Sequence, residues 1–228
     1  MQGKLIVFEG VEGSGKSTQL VRLQQWLATQ PSFQKLQSAG IVPDLVSTRE
    51  PGGTNLGKSL RALLLDHQPE TALGARAELL LYAADRAQHI EEVIVPMLQA
   101  GSWVLCDRFI DSTVAYQGYG RGLSLSLIEQ LNDIATEGIS GDLTIWLKLD
   151  ADQGLSRSRR RGTLDRMEQA NLEFHQQVQQ GFETLAERNP DRIVAIDAAA
   201  PEDTVAQQIQ IIMEQKLKAW YRKHLPTS

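Results

Sequence analysis

Short runs of apolar and β-branched residues recur along the chain and alternate with longer segments that have helical spacing. After the first run, Leu20, Leu23 and Leu27 lie three and four positions apart, which places them on one face of a helix. The predicted strands are Leu5 to Phe8, Leu45 to Thr48, Trp103 to Cys106, Leu143 to Leu149 and Ile193 to Ile196. This alternation predicts an α/β fold in which a five-stranded, mostly parallel sheet is flanked by helices on both faces.

No repeat, low-complexity tract or linker interrupts the chain, so residues 1–228 are predicted to form a single domain. Residues 29–43 contain two prolines and a glycine and are interpreted as a loop or a short extra helix. Residues 205–225 have the spacing of an amphipathic closing helix. Its aromatic residues Trp220 and Tyr221 are expected to pack on the domain rather than on a partner.

The formal net charge of −5 argues against bulk attraction to nucleic acid, so any bound anion must be held by local groups. The single cysteine, Cys106, lies in an apolar run, and we interpret it as a core thiol rather than a nucleophile. The N-terminal residues lack the pattern of a targeting segment, and no apolar stretch is long enough to cross a bilayer. The expected location is the cytoplasm, without membrane contact.

The segment after the first strand has the pattern G-x-x-x-x-G-K-[ST] and opens an amphipathic helix. In this context, backbone N–H groups of a glycine-rich loop cradle phosphate oxygens, while Lys16 supplies a charge and Ser17 a ligand for Mg²⁺. The predicted ATP phosphate-binding residues are Gly10, Val11, Glu12, Gly13, Ser14, Gly15, Lys16, Ser17 and Thr18. The alternative, a glycine-rich turn with a surface lysine, is disfavoured by the flanking strand and helix.

Nucleoside triphosphate binding alone does not separate a GTPase, a motor ATPase and a small-molecule kinase. Guanine-specific proteins normally carry an Asn-Lys-x-Asp run, which this sequence lacks. A GTPase is therefore disfavoured, and the features that decide the class must lie on the acceptor side.

Polar motifs follow the second and third predicted strands, where parallel sheets place their ligand loops. The first is Arg-Glu-Pro-Gly-Gly-Thr at residues 49–54, and the second is Asp-Arg-Phe at residues 107–109, followed by a polar stretch at residues 111–118. Between them, Tyr82 and Arg86 lie four positions apart on one face of a predicted helix. An aromatic ring beside a guanidinium group is an arrangement suited to binding a base.

Together with the cradle, these motifs resemble the thymidylate kinase family, in its bacterial form, over residues 5–197. Adenylate, guanylate and cytidylate kinases do not share this combination. The resemblance implies a P-loop NTPase fold and the phosphorylation of dTMP to dTDP with ATP and Mg²⁺, a step in dTTP synthesis. It also implies a homodimer packed through helices near the acceptor site, for which the apolar segment 77–98 is suited.

The resemblance assigns acceptor-binding roles to Glu12, Arg49, Tyr82, Arg86, Arg108, Thr113, Tyr116 and Gln117. Glu12 would accept a hydrogen bond from the 3′-hydroxyl, Arg49 and Arg108 would hold the acceptor phosphate, and Arg86 would reach the thymine edge. The last three residues of the set would line the base and sugar pocket. The family commonly has phenylalanine at the stacking position, where this chain has Tyr82, whose hydroxyl needs a partner or water.

Asp107 stands where a Walker B carboxylate would, so Ser17 and Asp107 are the predicted Mg²⁺-binding residues. The x positions of the cradle contain no basic residue, and family members of this kind carry catalytic arginines in a mobile lid. The predicted lid spans residues 154–166 and is strongly basic. Its candidates are Arg161 first, then Arg157 and Arg159, which with Lys16 and Arg108 complete the predicted catalytic set. By itself, such a basic run is more typical of a solvated helix face.

Two other functions remain open at this point. A deoxynucleoside kinase would phosphorylate the sugar hydroxyl and would use a carboxylate such as Glu12 as a base. A nucleotide-binding regulatory ATPase would explain the cradle but would leave the acceptor motifs without a purpose.

Overall fold

The computed structural model describes residues 3–66, 73–162 and 164–225. Its strands are β1 (Lys4–Glu9), β2 (Leu45–Arg49), β3 (Trp103–Asp107), β4 (Leu143–Lys148) and β5 (Ile193–Asp197). All four strand pairings are parallel, and the order across the sheet is β2-β3-β1-β4-β5. The predicted α/β fold with a five-stranded parallel sheet is confirmed.

Helices cover both faces of this sheet. The α-helices are α1 (Lys16–Thr29), α2 (Pro31–Ser38), α3 (Asn55–Leu65), α4 (Ala75–His89), α5 (Val95–Gln99), α6 (Ile110–Thr113), α7 (Leu125–Thr136), α8 (Ala151–Arg161), α9 (Leu172–Arg188) and α10 (Glu202–Trp220). Two π-helical segments, π1 (Ile90–Ile94) and π2 (Val114–Gly120), continue α4 and α6. The segment 29–43 therefore contains a short helix, α2, which buries Phe33 and Leu36 in the core.

Side chains of the central strands alternate between two apolar layers because successive residues of a strand point to opposite faces. Ile6 and Leu105 belong to the larger layer, whereas Leu5 and Val104 belong to the smaller one. Cys106 lies fully buried in the smaller layer, as predicted for a core thiol.

The closing helix packs on the domain as predicted. Trp103 Nε1 donates a hydrogen bond to the Tyr221 hydroxyl at 2.8 Å, and the rings of Trp103 and Trp220 lie 5.4 Å apart. Among the residues that the structure describes, no helix is both long and apolar enough to cross a membrane.

In register, Phe8 of β1 and Arg49 of β2 both pair with Asp107 of β3. The carboxyl ends of these three strands therefore meet at one edge of the sheet. This edge carries the loop 10–15, the loop 50–54 and the turn at Arg108, so all three predicted motifs converge there.

Candidate active site

The loop from Gly10 to Gly15, which we call the phosphate loop, connects β1 to α1 and surrounds the ammonium group of Lys16. Lys16 Nζ donates hydrogen bonds to the carbonyl oxygens of Gly10 and Val11 at 2.9 and 2.8 Å. Burial and the positive charge of Arg108 lower the pKa of Lys16 to about 8. A bound phosphate would favour the charged form, so this is a site suited to an anion.

Close contact between Gly13 and Gly154 of α8 positions the loop. A Cβ atom at Gly154 would lie 2.4 Å from the carbonyl oxygen of Glu12, and one at Gly13 would lie 2.3 Å from the carbonyl oxygen of Gly154. Neither distance is compatible with a side chain. Gly13 also has a φ of 69°, which favours glycine. The phosphate loop and the first turns of α8 can therefore touch only because both positions are glycine.

Substituting Gly154 by alanine is expected to lower kcat/KM for ATP by about 10²-fold, because the phosphate loop must shift and misplacement by about 1 Å has an effect of that size. Steady-state kinetics with varied ATP measure the change. Gly74→Ala is a matched control, since a Cβ there meets nothing within 4 Å among the described residues. Equal kinetics for the two variants would refute the proposed role of the glycine contact.

Ser17 and Asp107 lie together at the mouth of the loop, where Ser17 Oγ donates a hydrogen bond to Asp107 Oδ2 at 2.6 Å. A hydroxyl and a carboxylate are the oxygen ligands that Mg²⁺ prefers when substrate phosphates supply others. The described part of the chain contains no group of three or more His, Cys, Asp or Glu residues that could hold a metal ion. This donor set fits a Mg²⁺ ion bound jointly by the protein and a nucleotide.

One cavity beside the loop collects the predicted acceptor residues. It is lined by all eight, Glu12, Arg49, Tyr82, Arg86, Arg108, Thr113, Tyr116 and Gln117, and also by Lys16, Ser17, Asp107 and Arg161. We call this space the central cavity. The structure thus brings residues from five separate segments of the sequence to one site that adjoins the phosphate loop.

Arg108 occupies a turn with a φ of 70°, an uncommon conformation for a residue other than glycine. Its guanidinium group donates to Ser112 Oγ, to Glu12 Oε1 and to the Tyr116 hydroxyl, each at 3.0 Å. It also lies 4.8 Å from the centre of the Tyr116 ring. Such strain is commonly kept where a side chain must be aimed, and here Arg108 is aimed between the loop and the central cavity.

Glu12 receives hydrogen bonds on one carboxylate oxygen from both Arg108 and the Tyr116 hydroxyl, the latter at 2.6 Å. Burial alone would raise the pKa of Glu12, but the charge of Arg108 and the imidazole of His175, 3.5 Å from Oε2, lower it well below its ordinary value. Glu12 is therefore an anion at neutral pH. It can accept a hydrogen bond but has little capacity to act as a base.

Glu9, which the sequence analysis did not single out, holds the turn at residues 109–112 that follows Arg108. Its fully buried carboxylate accepts hydrogen bonds from the backbone N–H groups of Phe109 and Ser112 and from Ser112 Oγ, at 2.6 to 3.0 Å. Burial and the charge of Asp111 raise the pKa of Glu9 to about 7. Because Ser112 also accepts a hydrogen bond from Arg108, Glu9 helps to orient that guanidinium group.

Arg86 is almost completely buried, and four of its five N–H groups have protein partners. They donate to Glu50 Oε2, Thr113 Oγ1, Asn132 Oδ1 and the carbonyl oxygen of Phe109, at 2.8 to 3.1 Å. The fifth, on Nη2, has no partner within residues 3–66, 73–162 and 164–225. This rigid guanidinium group at the wall of the central cavity can therefore offer one directed donor to a bound base.

Tyr82 lies one helical turn from Arg86 on α4 and lines the central cavity. Its stacking role stays a prediction. Burial and the negative charge of Glu78 raise the pKa of the Tyr82 hydroxyl, so it remains neutral. Arg49 is exposed at the end of β2 and contributes a positive charge to the same cavity.

The predicted lid begins within α8 and continues after it. Arg161, at the end of α8, lines the central cavity and donates a hydrogen bond to Glu168 Oε1 at 2.5 Å. Arg157 instead donates to the carbonyl oxygen of Ala198, and Arg159 is exposed outside the cavity. The structure therefore brings Arg161 to the central cavity, whereas Arg157 packs beside Gly13 of the phosphate loop and Arg159 lies outside both. The motion of the lid stays a prediction.

Several residues that line the central cavity were given no individual role in the sequence analysis, although some belong to the motifs at residues 49–54 and 111–118. They are Glu50, Pro51, Arg61, Leu65, Ser112, Met167 and Glu168. Arg61 adds a second cation beside Arg49, and burial together with the charge of Arg49 lowers the pKa of Arg61. The signal for Arg61 was present in α3, where it follows the buried Leu60, but a single charged residue on a helix is not distinctive.

Comparison with known proteins gives a consistent result. Residues 8–209 match the family model described as Thymidylate kinase. The chain is 58% identical to a thymidylate kinase from a Cyanothece species, over 97% of each chain, and 57% identical to one from Trichodesmium erythraeum, over 96% of this chain and 99% of the other. The crystal structure of thymidylate kinase from Ehrlichia chaffeensis is 34% identical, with a TM-score of 0.71 over 94% of this chain and 99% of that one.

Proposed function

The chain belongs to the thymidylate kinase family, and we propose that it transfers the γ-phosphoryl group of ATP to dTMP, which yields ADP and dTDP. The observation that carries this proposal is that Glu12 of the phosphate loop lines the central cavity and accepts a hydrogen bond there from Arg108. A donor phosphate on the loop and an acceptor phosphate at Arg108 would then be neighbours. This proximity is the main requirement for direct transfer.

We propose that Arg49 and Arg108 hold the phosphate of dTMP, while Arg86 donates to the thymine edge and Tyr82 stacks on the ring. The attacking phosphate oxygen is already anionic at neutral pH, so no strong general base is needed. Catalysis then consists of alignment and neutralisation of charge on the transferred group. Lys16, Arg108 and Arg161 supply the positive charges.

Mg²⁺ fits this site, and we propose that Ser17 and, through water, Asp107 hold it. When bound, Mg²⁺ neutralises charge on the oxygens of the triphosphate. Asp107 also accepts the hydrogen bond of Ser17, which keeps that hydroxyl at the mouth of the loop.

The two other functions left open by the sequence are not favoured. A deoxynucleoside kinase would need a carboxylate base, but the low pKa of Glu12 makes it a poor one. A regulatory ATPase would have no use for a cavity whose eight acceptor residues converge beside the phosphate loop.

An acceptor panel tests the proposal. ADP release with ATP and Mg²⁺ is expected to be fastest with dTMP, and dUMP is expected to react measurably but about 10- to 200-fold less efficiently, because it lacks one methyl group. Thymidine as the best acceptor would indicate a nucleoside kinase. ADP release that does not depend on an acceptor would indicate a regulatory ATPase.

We further propose that the protein is a homodimer. Leu80 of α4 is 57% exposed and Ile134 of α7 is 75% exposed, and these two helices pack against each other. Large apolar side chains exposed on neighbouring helices mark a surface that favours a protein partner. The cytoplasmic location expected from the sequence stays a prediction.

Substituting Ile134 by glutamate is expected to convert the dimer to a monomer, because a charge would have to be buried at the interface. Size-exclusion chromatography with light scattering measures the mass. Ile211→Glu is the matched control, since Ile211 is also more than half exposed but lies on α10. A monomeric native protein, or a dimer that Ile134→Glu leaves intact, would contradict the proposed interface.

A further inference from the structure

Glu78 is a fully buried acid in the first turn of α4, and none of the catalytic roles proposed above uses it. Its Oε1 accepts a hydrogen bond from Gln117 Nε2 at 2.8 Å, and its Oε2 accepts one from Arg166 Nη2 at 2.6 Å. Arg121 contacts both oxygens at 3.2 to 3.3 Å. These partners overcome the effect of burial and lower the pKa of Glu78, so the acid is held as an anion.

The contacts of Glu78 join two parts of the site. On one side is Gln117, which lines the central cavity where we place the base. On the other side is Arg166, in the segment after the end of α8. Arg166 is further anchored because its backbone N–H and its Nε donate to the carbonyl oxygens of Leu65 and Leu64, at 3.0 and 2.7 Å.

The segment that contains Arg166 also holds the lid arginine. Asp165 Oδ1 accepts hydrogen bonds from the backbone N–H groups of Met167 and Glu168, each at 2.9 Å, which forms a tight turn. Glu168, 4% exposed, then accepts the hydrogen bond from Arg161, whose side chain is 68% exposed. Without this turn, the exposed guanidinium group would be free to leave the cavity.

We propose that Glu78 is a positioning residue that links occupation of the base pocket to the placement of Arg161 over the transferred phosphoryl group. The link runs from Gln117 through Glu78 to Arg166, and through the turn 165–168 to Arg161. This inference rests on the proposed function. A base that fixes Gln117 would fix Glu78 and the turn, so dTMP and ATP would each strengthen the binding of the other.

Alternative contacts do not provide such a link as directly. Arg86 donates its hydrogen bonds to Glu50, Thr113, Asn132 and Phe109. Neither Arg86 nor Tyr82 has a hydrogen bond to residues 164–168 among those that the structure describes. Arg121 reaches the sulfur of Met167 at 3.7 Å, which is a weak contact. Within the described residues, the ion pair of Glu78 and Arg166 therefore connects α4 to the lid segment.

The test compares two arginine variants that are matched in structure. Arg166 and Arg192 are each 20% exposed, and each lies 2.6 Å from a buried carboxylate, Glu78 and Asp111 respectively. Arg192 does not line the central cavity. Loss of either pair is expected to affect stability similarly, but only Arg166→Met breaks the proposed link. Glu78→Gln removes the negative charge at the centre of the proposed link, and Glu78→Asp retains that charge.

The first measurement is the dissociation constant of β,γ-methylene-ATP with Mg²⁺, determined by calorimetry with and without saturating dTMP. We expect dTMP to tighten binding to the native protein by about 5-fold or more, and this factor to fall to near 1 in Arg166→Met and Glu78→Gln. Arg192→Met should keep the coupling factor of the native protein. In Arg166→Met, kcat should fall about 10- to 100-fold, while KM for dTMP at saturating ATP should rise by no more than about the coupling factor that is lost. Glu78→Asp should recover part of both effects.

Absence of coupling in the native protein, or equal losses in Arg166→Met and Arg192→Met, would overturn the proposed link. If Glu78→Gln does not fold, the two arginine variants decide the question alone. The native protein must also form ADP in the presence of dTMP. If it does so and the variants keep native coupling, only this inference fails, whereas an inactive native protein would overturn the proposed function and the inference with it.

Discussion

Substitution of Lys16 by alanine is expected to lower kcat by about 10³-fold or more, the largest effect of any single change considered. Lys16 is the one cation that the phosphate loop encloses directly, with its ammonium group within 2.9 Å of two loop carbonyl oxygens. A charge fixed in a loop that excludes water stabilises the transition state without reorganisation. The coupled assay for ADP release at saturating ATP and dTMP measures this loss.

Lys35→Ala is the control for this experiment, because Lys35 is exposed on α2 and distant from the loop in the fold. Thermal unfolding must show that Lys16→Ala remains folded. Lys16→Arg is informative as well, since it keeps the charge but does not fit a site shaped for an ammonium group, and we expect it to recover little activity. A purified Lys16→Ala variant with native turnover would show that the loop is not the donor site.

The second large effect is expected for Arg161→Ala, which should lower kcat by about 10³-fold while it changes KM for dTMP much less. The reason is that Arg161 alone among the lid candidates lines the central cavity. An arginine delivered to the transferred phosphoryl group contributes about 10³- to 10⁵-fold in systems where its effect has been separated. Steady-state kinetics with both substrates varied provide the measurement.

The neighbouring arginines are internal controls for that result. Arg160 is exposed and donates to Ser156 Oγ on the same helix, and Arg159 is exposed outside the cavity. Alanine at either position should leave kcat within a few-fold of the native value. If Arg159→Ala or Arg157→Ala were as damaging as Arg161→Ala, the lid would have to close in an arrangement different from the one described here.

The phosphate loop could be predicted from sequence because its chemistry is local. The spacing from Gly10 to Ser17 defines the turn and the start of α1 together, so one window of sequence contains the whole motif. The class of sheet could be predicted but the order of its strands could not, since apolar runs predict a parallel sheet but do not show which strands are neighbours.

The partners of Arg86 could not be predicted in this way. Its guanidinium group is held by Glu50, Thr113 and Asn132, which come from three other parts of the chain. Spacing within α4 indicated that Arg86 and Tyr82 share a face, but it did not reveal that Arg86 is nearly saturated with partners. That conclusion requires the packing of α4 against α7 and the turn after β3.

Glu78 shows a different limit. An acid in the first turn of a helix is ordinarily explained by the helix dipole and is expected to face solvent. Here the side chain is fully buried and finds its partners in two other segments, Gln117 and Arg121 in and just after π2 and Arg166 after α8. A sequence pattern cannot show such a convergence, and so this residue emerged only from the fold.

The most direct test of the account is whether the γ-phosphoryl group of ATP reaches dTMP. ATP labelled at the γ-position is incubated with the native protein, Mg²⁺ and dTMP, and the products are separated. Label is expected in dTDP, with little label in inorganic phosphate when dTMP is absent. Label that appears only in inorganic phosphate, with none in dTDP, would contradict direct transfer to dTMP.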